Sequence, residues 1–90
     1  MTRPVYSRSP RYHVLKKRAL EVFKRNRGWL SPLGWAVLAA FYPTRAAYSY
    51  LLRLHRFGLL ERRRSAGLVL YQLSHRGKLR LEWLERVLRP

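Results

Sequence analysis

The spacing of apolar residues changes at Gly58, and that change limits the folds open to this chain. Before it, apolar side chains recur every three or four positions, the period of a helix. After it come Leu59-Leu60-Glu61-Arg62-Arg63 and Leu68-Val69-Leu70-Tyr71-Gln72-Leu73, which read as strands around the glycine-containing connection Arg64-Ser65-Ala66-Gly67. From Ser74 the helical spacing returns. The expected order is therefore helix, helix, helix, strand, strand, helix: α+β, mostly α. Ninety residues are enough for one core and too few for several.

Start and stop signals divide the helical part. Residues 1–9 carry Arg3, Arg8 and a proline without apolar periodicity, and read as a flexible basic arm. Residues 10–90 read as a single domain. Ser9-Pro10 offers a cap followed by proline at the first helical position. Tyr12, Leu15, Ala19, Val22 and Phe23 then form an apolar stripe, and Gly28 is the expected stop. Ser31-Pro32 repeats the cap signature before a short helix whose expected inner face is Leu33, Ala36, Val37 and Ala40. Phe41-Tyr42-Pro43 breaks that helix, since proline disfavours helical geometry in the residue before it. Thr44 is the expected cap of a third helix, residues 44–56, with Ala47, Leu51 and Leu54 inward. Ser74 caps the last helix, residues 75–89, with an apolar stripe of Leu81, Leu84, Val87 and Leu88. Glu82–Arg86 and Glu85–Arg89 have the spacing of favourable pairs along it.

Composition narrows the function. The chain has 20 Lys+Arg against 4 acids, all glutamate, for a net charge of +16. The excess is not a tail: each half of the chain holds ten bases. With 48% hydrophobic residues the chain is no disordered polycation. A folded domain with that much self-repulsion points to an anionic partner. Sixteen of the bases are arginine, whose planar fork suits phosphates and base edges. Cysteine is absent, which removes disulfides, thiolate metal sites and cysteine nucleophiles. The longest apolar stretch, Trp29 to Tyr42, is 14 residues, too short to span a bilayer. No apolar run of signal-peptide type follows the first residues, so the cytoplasm, in association with the nucleoid, is the expected compartment.

Two short helices joined by a turn, the second strongly basic, form a helix-turn-helix pattern, and a following hairpin supplies a wing. The run Leu51-Leu52-Arg53-Leu54-His55-Arg56-Phe57-Gly58-Leu59-Leu60-Glu61-Arg62-Arg63 resembles the end of the recognition helix and the first wing strand of MarR-like and PadR-like bacterial repressors. Leu70-Tyr71-Gln72-Leu73-Ser74-His75-Arg76-Gly77 resembles their second wing strand and the step into the next helix. The resemblance covers about half the chain, from Leu30 to Gly77. It implies a winged helix-turn-helix that binds double-stranded DNA and regulates transcription, as a repressor. MarR-like proteins are longer, with dimerisation helices and an effector pocket, so no small-molecule effector is carried over.

In that reading the outward positions of the third helix meet DNA: Thr44, Arg45, Ala46, Tyr48, Ser49, Leu52, Arg53 and Arg56. Arg45, Tyr48 and Ser49 lie near its N-terminal end, where base edges are read, and Arg53 and Arg56 suit phosphates. On the wing (residues 59–73) the candidates are Arg62, Arg63, Arg64 and Ser65, with Arg63 sent to the opposite face from Arg62 and Arg64 by strand alternation. Arg3, Arg8 and Arg11 would track a minor groove from the arm. The bland alternatives are a solvated helix face and a charged edge strand that resists aggregation. Trp29, Trp35, Phe41, Phe57, Tyr71 and Trp83 read as core or interface aromatics. A homodimer on a pseudo-palindromic site is expected, because one helix-turn-helix spans few base pairs. Its interface candidates are Leu81, Trp83, Leu84, Val87 and Leu88, with the first helix. Charge alone also admits a winged module that binds RNA or a protein.

Catalysis has no foothold. Without aspartate there is no Ser-His-Asp set, and His13, His55 and His75 lie far apart without cysteine company. Gly77-Lys78 resembles the end of a phosphate loop, but that loop needs glycine where Gln72 stands. No cofactor or metal is expected.

Overall fold

The computed structural model describes residues 10–88. Its elements are α1 (Pro10–Arg25), α2 (Pro32–Ala39), α3 (Thr44–Arg56), β1 (Leu60–Ser65), β2 (Leu68–Leu73) and α4 (His75–Val87), the order expected from the apolar spacing. β1 and β2 pair antiparallel, from Leu60 opposite Leu73 to Ser65 opposite Leu68. Leu30, just before α2, bridges to Tyr71 on the other edge of β2, with both backbone bonds made (2.9 and 2.8 Å). The α1–α2 connection is thereby tied to the wing.

The wing turn is tighter than expected. Ala66 and Gly67 both have positive φ (51° and 80°), the geometry of a two-residue hairpin turn whose twist matches the strands it joins. Arg64 and Ser65 are therefore paired strand residues rather than part of a four-residue connection.

Trp35 is the centre of the core. It is fully buried, its indole N–H donates to the Ala19 carbonyl (3.1 Å), and its ring packs against Phe23, Phe41 and Tyr50. That bond satisfies the one polar group the side chain carries inward. Its burial corrects the expected face of α2. Ser31 caps the helix as expected, accepting from the Gly34 N–H (3.0 Å). The buried residues, however, are Pro32, Trp35, Ala36 and Ala39, while Leu33 and Val37 point to solvent. Ala40 is a left-handed C-cap outside the helix. All eight residues of α2 are apolar or glycine, so no polar residue marked the outer face, and the bulk of Trp35 decided it.

Three smaller differences follow the same pattern. α1 buries Ala19, Leu20, Val22 and Phe23 but leaves Tyr12 and Leu15 exposed, Tyr12 carrying the Lys16 ammonium over its ring (4.7 Å). α1 ends at Arg25, before Gly28. Thr44 is the first residue of α3, not its cap; Pro43 stands at the cap and no side chain closes that end.

α4 starts as expected. Ser74 accepts from the Gly77 N–H (2.9 Å) and donates to the Gly58 carbonyl (2.6 Å), so one hydroxyl caps α4 and fixes the end of α3. Gly77 has to be glycine, since a Cβ there would collide with the Leu59 carbonyl. Leu81 and Leu84 are buried in the protomer's own core against α1. Glu85 pairs with Lys24 on α1 (3.2 Å), its expected partner Arg89 lies outside the described residues, and no Glu82–Arg86 ion pair forms among the described residues.

Candidate nucleic-acid interface

α3 divides as its sequence implies. Ala47, Leu51 and Leu54 are buried, while Arg45, Tyr48, Ser49, Arg53 and Arg56 are exposed on the opposite side and Thr44, Ala46 and Leu52 are partly covered. Two contacts fix the helix against the wing. The His55 ring Nδ1 lies 3.0 Å from the Leu60 carbonyl, and Leu59 N–H donates to the Leu54 carbonyl (3.0 Å). Tyr50, on the core side, stacks on Trp35 and Phe41. Burial, with a smaller contribution from Tyr12, pushes its hydroxyl up to about 12 against a lowering by Arg53.

Between the outer face of α3 and the hairpin runs an open groove of about 640 Å³. Leu33, Tyr48, Leu52, Leu68 and Val69 give it an apolar floor, and Ser49 and Arg62 supply polar groups. Arg64 pairs across the hairpin with Val69, a groove residue, so Arg62 and Arg64 share the groove side. Arg63 does not join them. Its guanidinium lies 4.4 Å from the centre of the Trp29 ring, on the far side of the hairpin. Ser65 pairs with Leu68 at the hairpin tip.

The acids are placed as tellingly as the bases. Glu21 pairs with Lys17 and Arg25 on α1, and Glu85 with Lys24. Glu61 accepts from Gln72 on the outer face of the hairpin, and Glu82 lines a separate concavity with Arg27 and Lys78. None of the four glutamates is on the outer face of α3 or in the groove. One surface thus carries Arg45, Arg53, Arg56, Arg62 and Arg64 without an opposing charge.

The other expected site residues fare differently. Arg3 and Arg8 lie outside the described residues, and Arg11 falls in the first turn of α1. Of the five dimer candidates, Leu81 and Leu84 are enclosed at 2% and 0% exposure and cannot be shared with a second chain. Trp83 and Val87 are exposed and Leu88 is half-buried. Phe57 is a surface aromatic under the Lys16 ammonium, and Trp83 carries Arg80 over its ring. Sequence reasoning missed Leu33, Leu68 and Val69 as groove residues, and Trp29 as the seat of Arg63. The alternation that separates Arg63 from Arg62 and Arg64 was legible; its aromatic partner was not.

No protein-family model matches the sequence, and comparison with curated proteins finds no match. Solved structures do match. Sso10a-2, a DNA-binding protein from Sulfolobus solfataricus, superposes with a TM-score of 0.69 at 16% identity, over 82% of this chain and 77% of that one. BldR, a transcriptional regulator from Sulfolobus solfataricus, gives 0.70 at 22% identity over 84% of this chain, which spans 55% of BldR's length. The antimony-specific transcriptional repressor AntR gives 0.64 at 21% identity, over 93% and 86%. Identities this low speak for architecture. Three core helices, a hairpin wing and a following helix, shared with these solved structures, give this chain the winged helix-turn-helix fold.

Proposed function

We propose that this chain is a sequence-specific double-stranded DNA-binding transcriptional regulator that acts as a repressor. The carrying observation is the single acid-free surface made by α3 and the groove side of the wing, with Arg45, Arg53, Arg56, Arg62 and Arg64. Solved structures of the same fold belong to proteins described as DNA-binding or as transcriptional regulators, which supports the same partner here. α3 enters the major groove, whose width admits a helix. Arg45 forks onto a base edge, Tyr48 and Ser49 flank it, and Thr44 and Ala46 let the backbone approach. Arg53 and Arg56 take phosphates. Arg62 and Arg64 follow the backbone or minor groove, with Ser65 at the tip, while Arg63 stays on Trp29. Leu52 belongs to the apolar floor of the groove.

The working unit is a two-fold dimer joined through the accessible part of α4 (Trp83, Val87, Leu88) and α1. No helix among the described residues is long and apolar enough to cross a membrane. The site of action is the nucleoid, in the cytoplasm.

Selection of bound sites from a random duplex library, with wild type and Arg45→Ala, tests the reading. Wild type returns a consensus that survives excess competitor DNA. Arg45→Ala loses preference at one base position, at a cost of about 1–3 kcal/mol against the preferred base. A library that returns no consensus, with binding abolished by competitor, would move the assignment to RNA or a protein partner.

A further inference from the structure

The chain is nearly without carboxamides. It has one asparagine, one glutamine and no aspartate. Asn26 donates to the Val22 carbonyl on α1 (2.9 Å), and Gln72 donates to Glu61 on the outer face of the hairpin (3.2 Å). Neither side chain is on the outer face of α3 or in the groove beside it. The four glutamates are missing from that surface as well. A DNA-binding surface that lacks these residue types has few ways to tell one base pair from another.

In the major groove a carboxamide spans N6 and N7 of adenine, and a carboxylate accepts from N4 of cytosine. Arginine forks onto O6 and N7 of guanine, and an apolar group packs on the 5-methyl of thymine. The first two chemistries are absent here, and Arg45 supplies the third. The hydroxyls of Thr44 and Ser49 serve more than one base and discriminate little. The mark of an A·T pair that α3 can still read directly is therefore the thymine methyl. Tyr48 is the side chain placed to read it. Within α3 it is the one large apolar side chain that is exposed, at 53%. It stands one turn after Arg45 on the outer side and lines the apolar groove with Leu52. Three residues of helix advance about 4.5 Å, against about 3.4 Å per base-pair step, so Arg45 and Tyr48 meet pairs no more than two steps apart.

We infer that the Tyr48 ring reads the 5-methyl group of a thymine within two base pairs of the guanine held by Arg45. The A·T positions of the site are thus specified by apolar contact and not by hydrogen bonds to adenine. The inference rests on the DNA-binding reading above, and the experiment separates the two. Uracil pairs as thymine does but lacks the methyl. In a duplex carrying the sequence that wild type selects, each thymine is replaced in turn by deoxyuridine. Affinity is measured by fluorescence anisotropy with wild type, Tyr48→Phe and Tyr48→Ser. Tyr48 is exposed, so both variants keep the fold, which circular dichroism verifies.

Wild type loses affinity roughly fourfold when uracil replaces a thymine next to the guanine or one pair beyond it, the effect of one methyl left unburied. Thymines further away can be replaced without loss. Tyr48→Phe keeps the uracil penalty, because the ring and not the hydroxyl makes the contact. Tyr48→Ser binds the thymine and uracil duplexes equally. A consensus without thymine in that window, or wild type indifferent to every uracil, would overturn the inference. A penalty lost in Tyr48→Phe would also overturn it, giving the base to a hydrogen bond from the hydroxyl. So would a penalty that persists in Tyr48→Ser, which would assign the preference to duplex shape read by the wing. Wild type that selects no consensus would instead refute the DNA reading itself.

Discussion

Adjacent arginines on one strand should behave as different chemical species in a DNA-binding assay. Arg62 lines the groove beside α3, whereas Arg63 stands 4.4 Å over the Trp29 ring on the far side of the hairpin. Each phosphate contact contributes about 0.9 to the slope of log affinity against log salt. Between 50 and 200 mM salt, a fourfold change, one contact therefore accounts for a factor of about 3.5 in affinity. Arg62→Ala should flatten the slope by about 0.9 and show its deficit mainly at low salt. Arg64→Ala, on the same side, should do the same. Arg63→Ala should leave the slope within experimental scatter and instead lose a cation–π contact worth about 0.5–1 kcal/mol at an exposed site. That loss appears as a Tm lower by several degrees. Anisotropy titrations of one duplex at four salt concentrations, with thermal melts of the free proteins, measure both quantities. A full unit of slope lost in Arg63→Ala with an unchanged Tm would refute the assignment of faces to the wing.

Three further substitutions test the rest of the framework. Leu84→Ser should unfold the chain rather than dissociate a dimer, because Leu84 is wholly buried in its own protomer and even Leu→Ala at such sites costs about 2–5 kcal/mol; a folded, monomeric variant in sedimentation and circular dichroism would contradict this. Ser74→Ala should cost about 1–2 kcal/mol in urea unfolding, since it removes both the α4 cap and the bond to the Gly58 carbonyl. Tyr50 has a folded-state value of about 12, above its ordinary value of 10.0. The unfolded chain therefore releases that proton first, so stability falls as pH rises from 10 towards 12 and is unaffected below. Tyr50→Phe should make the alkaline decline in Tm shallower, and equal declines in both proteins would show that Tyr50 does not contribute.

The sequence by itself determined the order of the elements, the starts of α2 and α4 and the place where helix gives way to strand, because those signals act between residues close in the chain. Ser31 before Pro32, Ser74 three residues before Gly77, and the change of period at Gly58 each act within one turn of the backbone. α3's two faces were legible for a related reason: Ala47, Leu51 and Leu54 alternate with arginine, tyrosine and serine, so only one orientation keeps the bases in water. Tertiary structure decided every question in which the local pattern was degenerate. α2 is apolar on all sides, and its buried face followed from the volume of Trp35 and the carbonyl it reaches on α1. The stripe through Leu81 and Leu84 has the same period whether its own α1 or a second chain covers it, and only packing distinguishes the two. Trp29 meets Arg63 because the Leu30–Tyr71 bridge draws the α1–α2 connection against the wing. Periodicity states that a face must be covered; which surface covers it depends on contacts between residues far apart in the chain, and those exist only once the core has closed.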